Sequence, residues 1–294
     1  MSPAVLPAPA WPGVLLRWEL DPGVVAGVVL AGVAYEAGWR AWARSTGGRW
    51  APRWRRWAFA AGLGIMVVAL CSPVAVYSDE LFSVHMVEHL LLVMGAAPLL
   101  VAGRPVAVTS GLLHPARRHR LLRLRRRRVV SVAGHPLVAW GAFAAVGWLV
   151  HFSGLYELSL EQPAAHAAEH VLLLGSALLF WRPIVSPGGA GRLSHPLRLL
   201  YLALAMPQET FLALALYSSS APLYAVYGHA GRPWGPSPLA DQRTAGGMLW
   251  VVSELALLVA VLVTANAWAD HEARVTARRE ALEDAAAVAA ERLG

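Results

Sequence analysis

Lysine is absent from this chain, cysteine occurs once, and charged residues of every kind make up only 15% of its 294 positions. The single cysteine, Cys71, excludes an intrachain disulfide framework and leaves the redox compartment unread. Scarce charge together with 57% hydrophobic residues and a mean hydropathy of +0.49 excludes an ordinary soluble domain. The net charge of +7 does not signal nucleic acid, because all 25 basic residues are arginines gathered in short segments between apolar runs. Met1–Pro12 has no basic stretch ahead of an apolar core, so no cleavable signal peptide is expected. No G-x-S-x-G, Walker or dinucleotide-binding pattern is present to point to those enzyme classes.

What the chain does have is apolar length. Seven stretches approach the roughly 20 residues a helix needs to cross a bilayer. They lie near Val24–Ala43, Trp57–Val76, Phe82–Ala102, Pro136–His151, Ala164–Ile184, Leu197–Ser218 and Ala245–Trp268. The fourth is short unless it begins at Ser131. The expected fold is all-α and polytopic: seven transmembrane helices over residues 1–268 and a cytoplasmic helical tail over 269–294. Between the spans, 22 of the 25 arginines fall on one side and only Arg17, Arg232 and Arg243 on the other. The positive-inside rule then places the N-terminus outside and the C-terminus in the cytoplasm. The run Arg117–Arg128 reads as a topology determinant touching lipid headgroups, with an anionic-lipid or partner-docking site as the sharper alternative. Trp54, Trp57, Trp181 and Trp268 sit at expected inner boundaries, as an aromatic belt would.

Two pentapeptides break the apolar pattern. His85-Met86-Val87-Glu88-His89 and His166-Ala167-Ala168-Glu169-His170 both read H-x-x-E-H, and each opens a span. Residues three and four apart share a helix face, so each motif aims two imidazoles and a carboxylate in one direction. Such groups are costly in lipid and face the protein interior by default. Ser72 and Ser153 each precede their motif by 13 residues, and an Arg-Pro pair (Arg104-Pro105, Arg182-Pro183) closes each span. The spacing to Arg-Pro differs by three residues. Spans two–three and four–five therefore read as an imperfect parallel repeat of one hairpin, which would set the two motif faces opposite each other at one depth.

His151 and Cys71 fall near the same depth, giving an expected outer-leaflet pocket of His85, His89, His151, His166, His170, Glu88, Glu169, Cys71 and Met86. Neutral imidazole suits copper, zinc and iron, while methionine and cysteine favour Cu(I). The glutamates could ligate directly or orient a histidine from behind. Haem held between two histidines is the alternative cofactor, and zinc a further one. H-x-x-E-H is also the inverzincin protease pattern, but tandem copies inside membrane spans are not what that class needs. A metal-free scaffold, its histidines bonded to Glu88 and Glu169, is the bland reading. Deeper in the spans, Glu36, Glu209 and Glu254 are expected near the midplane, as neutral hydrogen-bonded groups or as a proton or cation route. Met66, Met94, Met206 and Met248 read as packing filler or as a thioether path. Asp241 stands at the start of the last span, where a carboxylate caps free N–H groups.

These residues carry a resemblance. HMVEHLLLVMGAAPLLVAGRP at 85–105, HAAEHVLLLGSALLFWRP at 166–183, LRLLYLALAMPQE with SSSAPLY between 197 and 224, and PLADQRTAGGMLW at 238–250 resemble the multi-spanning CtaG-type cytochrome c oxidase assembly factors. The resemblance covers most of residues 70–268. It implies a multi-pass protein of the bacterial plasma membrane that matures a haem–copper oxidase by handling copper. No enzymatic activity is expected, with a membrane metalloenzyme on the same histidines as the alternative. His85, His89, His166 and His170 are carried over as matched motif positions. The implied partners are oxidase subunits, membrane lipids and an external copper donor.

Overall fold

The computed structural model of the chain describes residues 6–10, 12–45, 52–113, 132, 134–185, 193–224, 226–227 and 233–291. Regular structure among them is entirely helical. The helices are α1 (Pro22–Ser45), α2 (Arg53–Cys71), α3 (Pro73–Ser78), α4 (Phe82–Leu90), α5 (Ala97–Ala102), α6 (Pro105–Thr109), α7 (Pro136–Phe152), α8 (Leu155–Glu161), α9 (Pro163–Val185), α10 (His195–Tyr217) and α11 (Pro238–Glu291). A π-helical stretch, Leu91–Ala96, joins α4 to α5.

Six helical runs are long and apolar enough to cross a membrane: Pro22–Arg44, Arg53–Ser78, Phe82–Leu112, Pro163–Val185, His195–Tyr217 and Pro238–Ala286. The stretch expected as the fourth span, α7, is apolar but has 17 residues. By helix rise that is about 25 Å, short of the ~30 Å hydrocarbon core. The extension back to Ser131 falls outside the described residues. Two boundaries differ from expectation. The second span is broken at Ser72, whose extended backbone ends α2 and whose hydroxyl accepts the Val74 N–H to start α3. The last span begins seven residues earlier than its hydropathy suggests and runs without interruption through the tail. Residues 269–286 are a solvated continuation of that helix, with exposed pairs such as Arg279–Glu283 at 2.8 Å that contribute little stability.

Two cores hold the bundle. The larger is built from α4, α5, α7, α9, α10 and α11, with Phe143, Phe180, Leu202, Leu216 and Leu257 inside it. The smaller joins α1, α2, α5 and α6 around Tyr35, whose ring stacks 4.0 Å from Phe59 and whose hydroxyl donates to the Gly103 carbonyl. α10 and α11 are in close backbone contact at Gly246, where a Cβ would lie 3.0 Å from the Ala213 carbonyl oxygen and 2.9 Å from the Tyr217 nitrogen. Only glycine permits that backbone contact. Arginines tie down the end of the bundle opposite the histidine motifs: Arg55 donates to the Ala102 carbonyl and Arg182 to that of Gly134. Glu36 belongs to that end. It pairs with Arg40 at 2.9 Å and with Arg56, in the first turn of α2, at 2.8 Å. Arginine pairing, not isolation at midplane depth, accounts for this carboxylate.

Candidate metal centre

The first motif is fixed by the start of α4. Asp241, at the beginning of α11, accepts the N–H groups of Phe82 (2.7 Å) and Ser83 (3.4 Å) and the Ser83 hydroxyl (2.5 Å). Asp241 thus caps a helix, as a carboxylate at that place suggests, but the helix is α4 rather than its own. The adjacent Gln242 accepts the Leu223 N–H and donates to the Leu216 carbonyl, tying Leu223 to the last turn of α10. The second motif begins three residues into α9, which opens with Pro163, a residue with no N–H to satisfy.

The two motif faces meet, and they meet crosswise. Glu169 of the second motif lies 3.3 Å from His89 Nε2 and 3.7 Å from His85 Nε2 of the first. Glu88 of the first lies 3.1 Å from His170 Nε2 of the second. His85 and His89 are themselves 2.8 Å apart through their Nε2 atoms. The His166 ring stacks 5.6 Å from that of His85, and His151 from α7 stands 5.9 Å from His89. Two sets of ligand atoms fall within 4.8 Å of one another: His85, His89 and Glu169, and His85, Glu88 and His166. His85 belongs to both.

The distances suit a small cation. Four ligands at about 2.05 Å in a tetrahedron are separated by about 3.3 Å. The triangle of His85, His89 and Glu169 has edges of 2.8, 3.3 and 3.7 Å. Charge points the same way. Glu88 and Glu169 are at most 1% exposed, and among the described residues histidines are their only ion-pair partners. A buried carboxylate pair without arginine requires positive charge from somewhere, since each desolvated ion costs several kcal/mol. Polar atoms left without a hydrogen bond accumulate here: Nδ1 of His85 and His89, Nε2 of His151, His166 and His170, Glu88 Oε2 and both Glu169 oxygens. Several of these atoms still face an ionic partner across the cluster, and a buried polar group left without a hydrogen bond costs roughly 1–3 kcal/mol.

Aromatic residues close the cluster on the motif end. Tyr156 stands 5.0 Å from His85, its hydroxyl 2.8 Å from that of Tyr227. Tyr227 donates to the Ser78 carbonyl and Tyr224 to that of His151. Burial pushes all three phenols above their ordinary range, so they are neutral hydrogen-bonding groups at physiological pH. Sequence reasoning missed these tyrosines. Their only signal was a pair three residues apart after the Ser-Ser-Ser-Ala-Pro turn.

The remaining expected members divide. Met86 is fully buried and lines a small cavity with His89 and His151. Cys71 is buried too, yet it ends α2 beneath the amino-terminal segment, where its carbonyl accepts the Glu19 N–H and the Asp21 backbone bonds its thiol. It is in neither group of converging ligand atoms. Glu209 lines the same cavity as Met86, and Glu254 accepts the Thr210 hydroxyl at 2.7 Å.

An all-helical bundle with membrane-spanning helices and a histidine–glutamate cluster at the head of two of them defines a polytopic membrane protein. Residues 33–271 match the model of the cytochrome c oxidase caa3 assembly factor family (Caa3_CtaG), and the chain belongs to that family. Uncharacterized proteins of Mycobacterium bovis and Mycobacterium tuberculosis are each 34% identical over 278 residues, covering 91% of this chain and 42% of theirs. One from Mycobacterium leprae is 29% identical over 273 residues, covering 90% and 41%. The chain therefore spans about two fifths of the length of the relatives it matches. No solved structure matches it.

Proposed function

We propose that this protein holds copper, as Cu(I), between its two H-x-x-E-H motifs and passes it to a subunit of a haem–copper cytochrome c oxidase. The observation that carries the reading is the crossed pairing, in which each motif's glutamate serves the other motif's histidines. Neutral imidazoles bind the cation, and the carboxylates balance its charge. Ligands contributed by two separate helices can be displaced one at a time by an incoming thiolate or imidazole, as a handover requires.

Arrangement in the membrane follows the arginines. With α7 as a seventh, shortened span, the arginine-rich end lies in the cytoplasm and the histidine cluster in the outer leaflet of the bacterial plasma membrane, open to an external donor and to the oxidase. A parallel repeat of α2–α4 and α7–α9 is supported by a constant 81-residue offset. It relates Ser72 to Ser153, Ser78 to Ser159, His85 to His166, and the starts of α4 and α9 at Phe82 and Pro163.

Elemental analysis of the purified protein tests the site. Wild type is expected to carry one to two copper ions per chain, and a His85→Ala/His166→Ala variant about one fewer. Equal content in the two rejects the site. A Soret band in the purified protein would instead transfer these histidines to haem.

A further inference from the structure

Next to the crossed motifs, α4, α7, α9, α10 and α11 enclose a second chamber of about 40 Å³. Most of its lining is hydrocarbon, but His89, His151, Met86, Met94 and Glu209 all face it. Each of these five is at most 9% exposed. Two of them present ring nitrogens that no other group bonds. His151 Nδ1 is 2.8 Å from the Gly147 carbonyl oxygen, so it carries the proton, and Nε2 is left as a bare acceptor without a hydrogen bond. His89 turns Nε2 toward His85 and Glu169, leaving Nδ1 without a partner on its other edge. The chamber holds little more than one water, whose share of liquid volume is about 30 Å³. Two imidazole nitrogens and two thioethers are a soft donor set; hard divalent ions call for several oxygens.

We propose that this chamber is a second, inner cation site for a soft monovalent ion of the Cu(I) or Ag(I) type. Its ligands are His151 Nε2, His89 Nδ1 and the sulfurs of Met86 and Met94, with Glu209 as the countercharge. His89 borders both sites, one ring nitrogen toward each, and filling both at once requires its ring proton to leave as the second ion enters. The proposal extends the copper reading, yet it rests on different atoms and can stand without it. It also accounts for the placement of Met86, which lies off the face that bears the two carboxylates.

Silver(I), a soft ion that does not change oxidation state, is the probe, with zinc(II) as the contrasting one. In detergent the wild type is expected to bind about two silver ions and about one zinc ion, with sulfur in the silver coordination shell by X-ray absorption. Met86→Leu/Met94→Leu conserves core volume, so the fold is retained, as an unchanged melting profile would verify. That variant should lose one silver ion and all sulfur scattering while keeping its zinc. His85→Ala/Glu169→Gln should do the reverse, losing zinc and keeping a sulfur-ligated silver. If wild-type silver shows no sulfur neighbour, or if the methionine variant binds as many silver ions as wild type, the inner site does not exist. Loss of zinc binding alone in the wild type would count against the crossed-motif centre and leave the inner site standing.

Discussion

The hairpins α2–α4 and α7–α9 carry the same five-residue pattern, yet they bury it differently. In the first, His85, Met86, Glu88 and His89 are all at most 3% exposed. In the second only Glu169 is buried; His166 and His170 are half-buried, and Ala167 and Ala168 are exposed. The cause is what covers each helix. α4 lies under α11, which contributes Asp241 to its start, whereas α9 presents Val171 and Leu172 outward. Pattern alone therefore does not set role. The first motif forms the floor of the cluster, with His85 in both ligand groups, and the second forms its rim. A rim of half-buried imidazoles over a closed floor is the arrangement a cation needs if it is to get in and out.

That asymmetry can be broken most decisively at the histidines. His85→Ala removes a ligand from both groups and should weaken metal binding by at least ~100-fold. His170→Ala removes only a partner of Glu88 and should cost about 10-fold, in the range of groups that orient a ligand from behind. Equilibrium titration of each variant against a competing chelator measures both. Equal losses would mean that floor and rim are not distinct.

Next in size is the cover on α4. Asp241→Ala leaves two buried N–H groups and a hydroxyl without their acceptor, a loss of roughly 3 kcal/mol or more at 1–3 kcal/mol per orphaned group. A melting point in detergent that falls by only a degree or two would show that α11 is not what fixes the first motif. Tyr227→Phe is smaller. It deletes a hydroxyl bonded to Tyr156 and to the Ser78 carbonyl and should lower stability by about 1–2 kcal/mol. Metal content should be unchanged, since no phenol oxygen is among the converging ligands.

Much of this was legible in sequence because helix periodicity is a local property. The i, i+3, i+4 spacing put each motif on one face. The serines 13 residues upstream aligned the two hairpins, but the expected second span ran on through Ser72 to Val76, and the break there was not foreseen. The reading failed where packing between distant segments decides. Which glutamate serves which histidine, the use of Asp241 by α4 and the tyrosine cover all join residues about 70 or more positions apart. Periodicity carries no information about such pairs. Cys71 and Glu36 went astray for a related reason. Depth counted along one helix ignores what the neighbouring chain brings to that level: the amino-terminal segment for Cys71, Arg56 for Glu36. The three-residue mismatch before Arg-Pro also has a structural correlate, since α4 passes through a π-helical stretch at Leu91–Ala96 and α9 does not.

The finest test of the comparison is at the two serines, where the hairpins are most alike. Ser72 Oγ accepts the Val74 N–H at 3.1 Å, and Ser153 Oγ accepts the Leu155 N–H at 3.2 Å. Six residues on, Ser78 and Ser159 each donate to the carbonyl three residues back. If one ancestral turn was copied, the copies do one job: to stop a membrane helix and restart the chain at the depth that delivers the motif. Ser72→Ala and Ser153→Ala should then each lower stability by about 0.5–1 kcal/mol, the usual cost of losing such a cap. The two values should agree within about 0.5 kcal/mol, and both variants should shift metal affinity in the same direction. A silent Ser153→Ala beside a costly Ser72→Ala would mean that the second hairpin finds its depth by other contacts. The constant 81-residue offset would then describe the chain's history and not the way it builds its site.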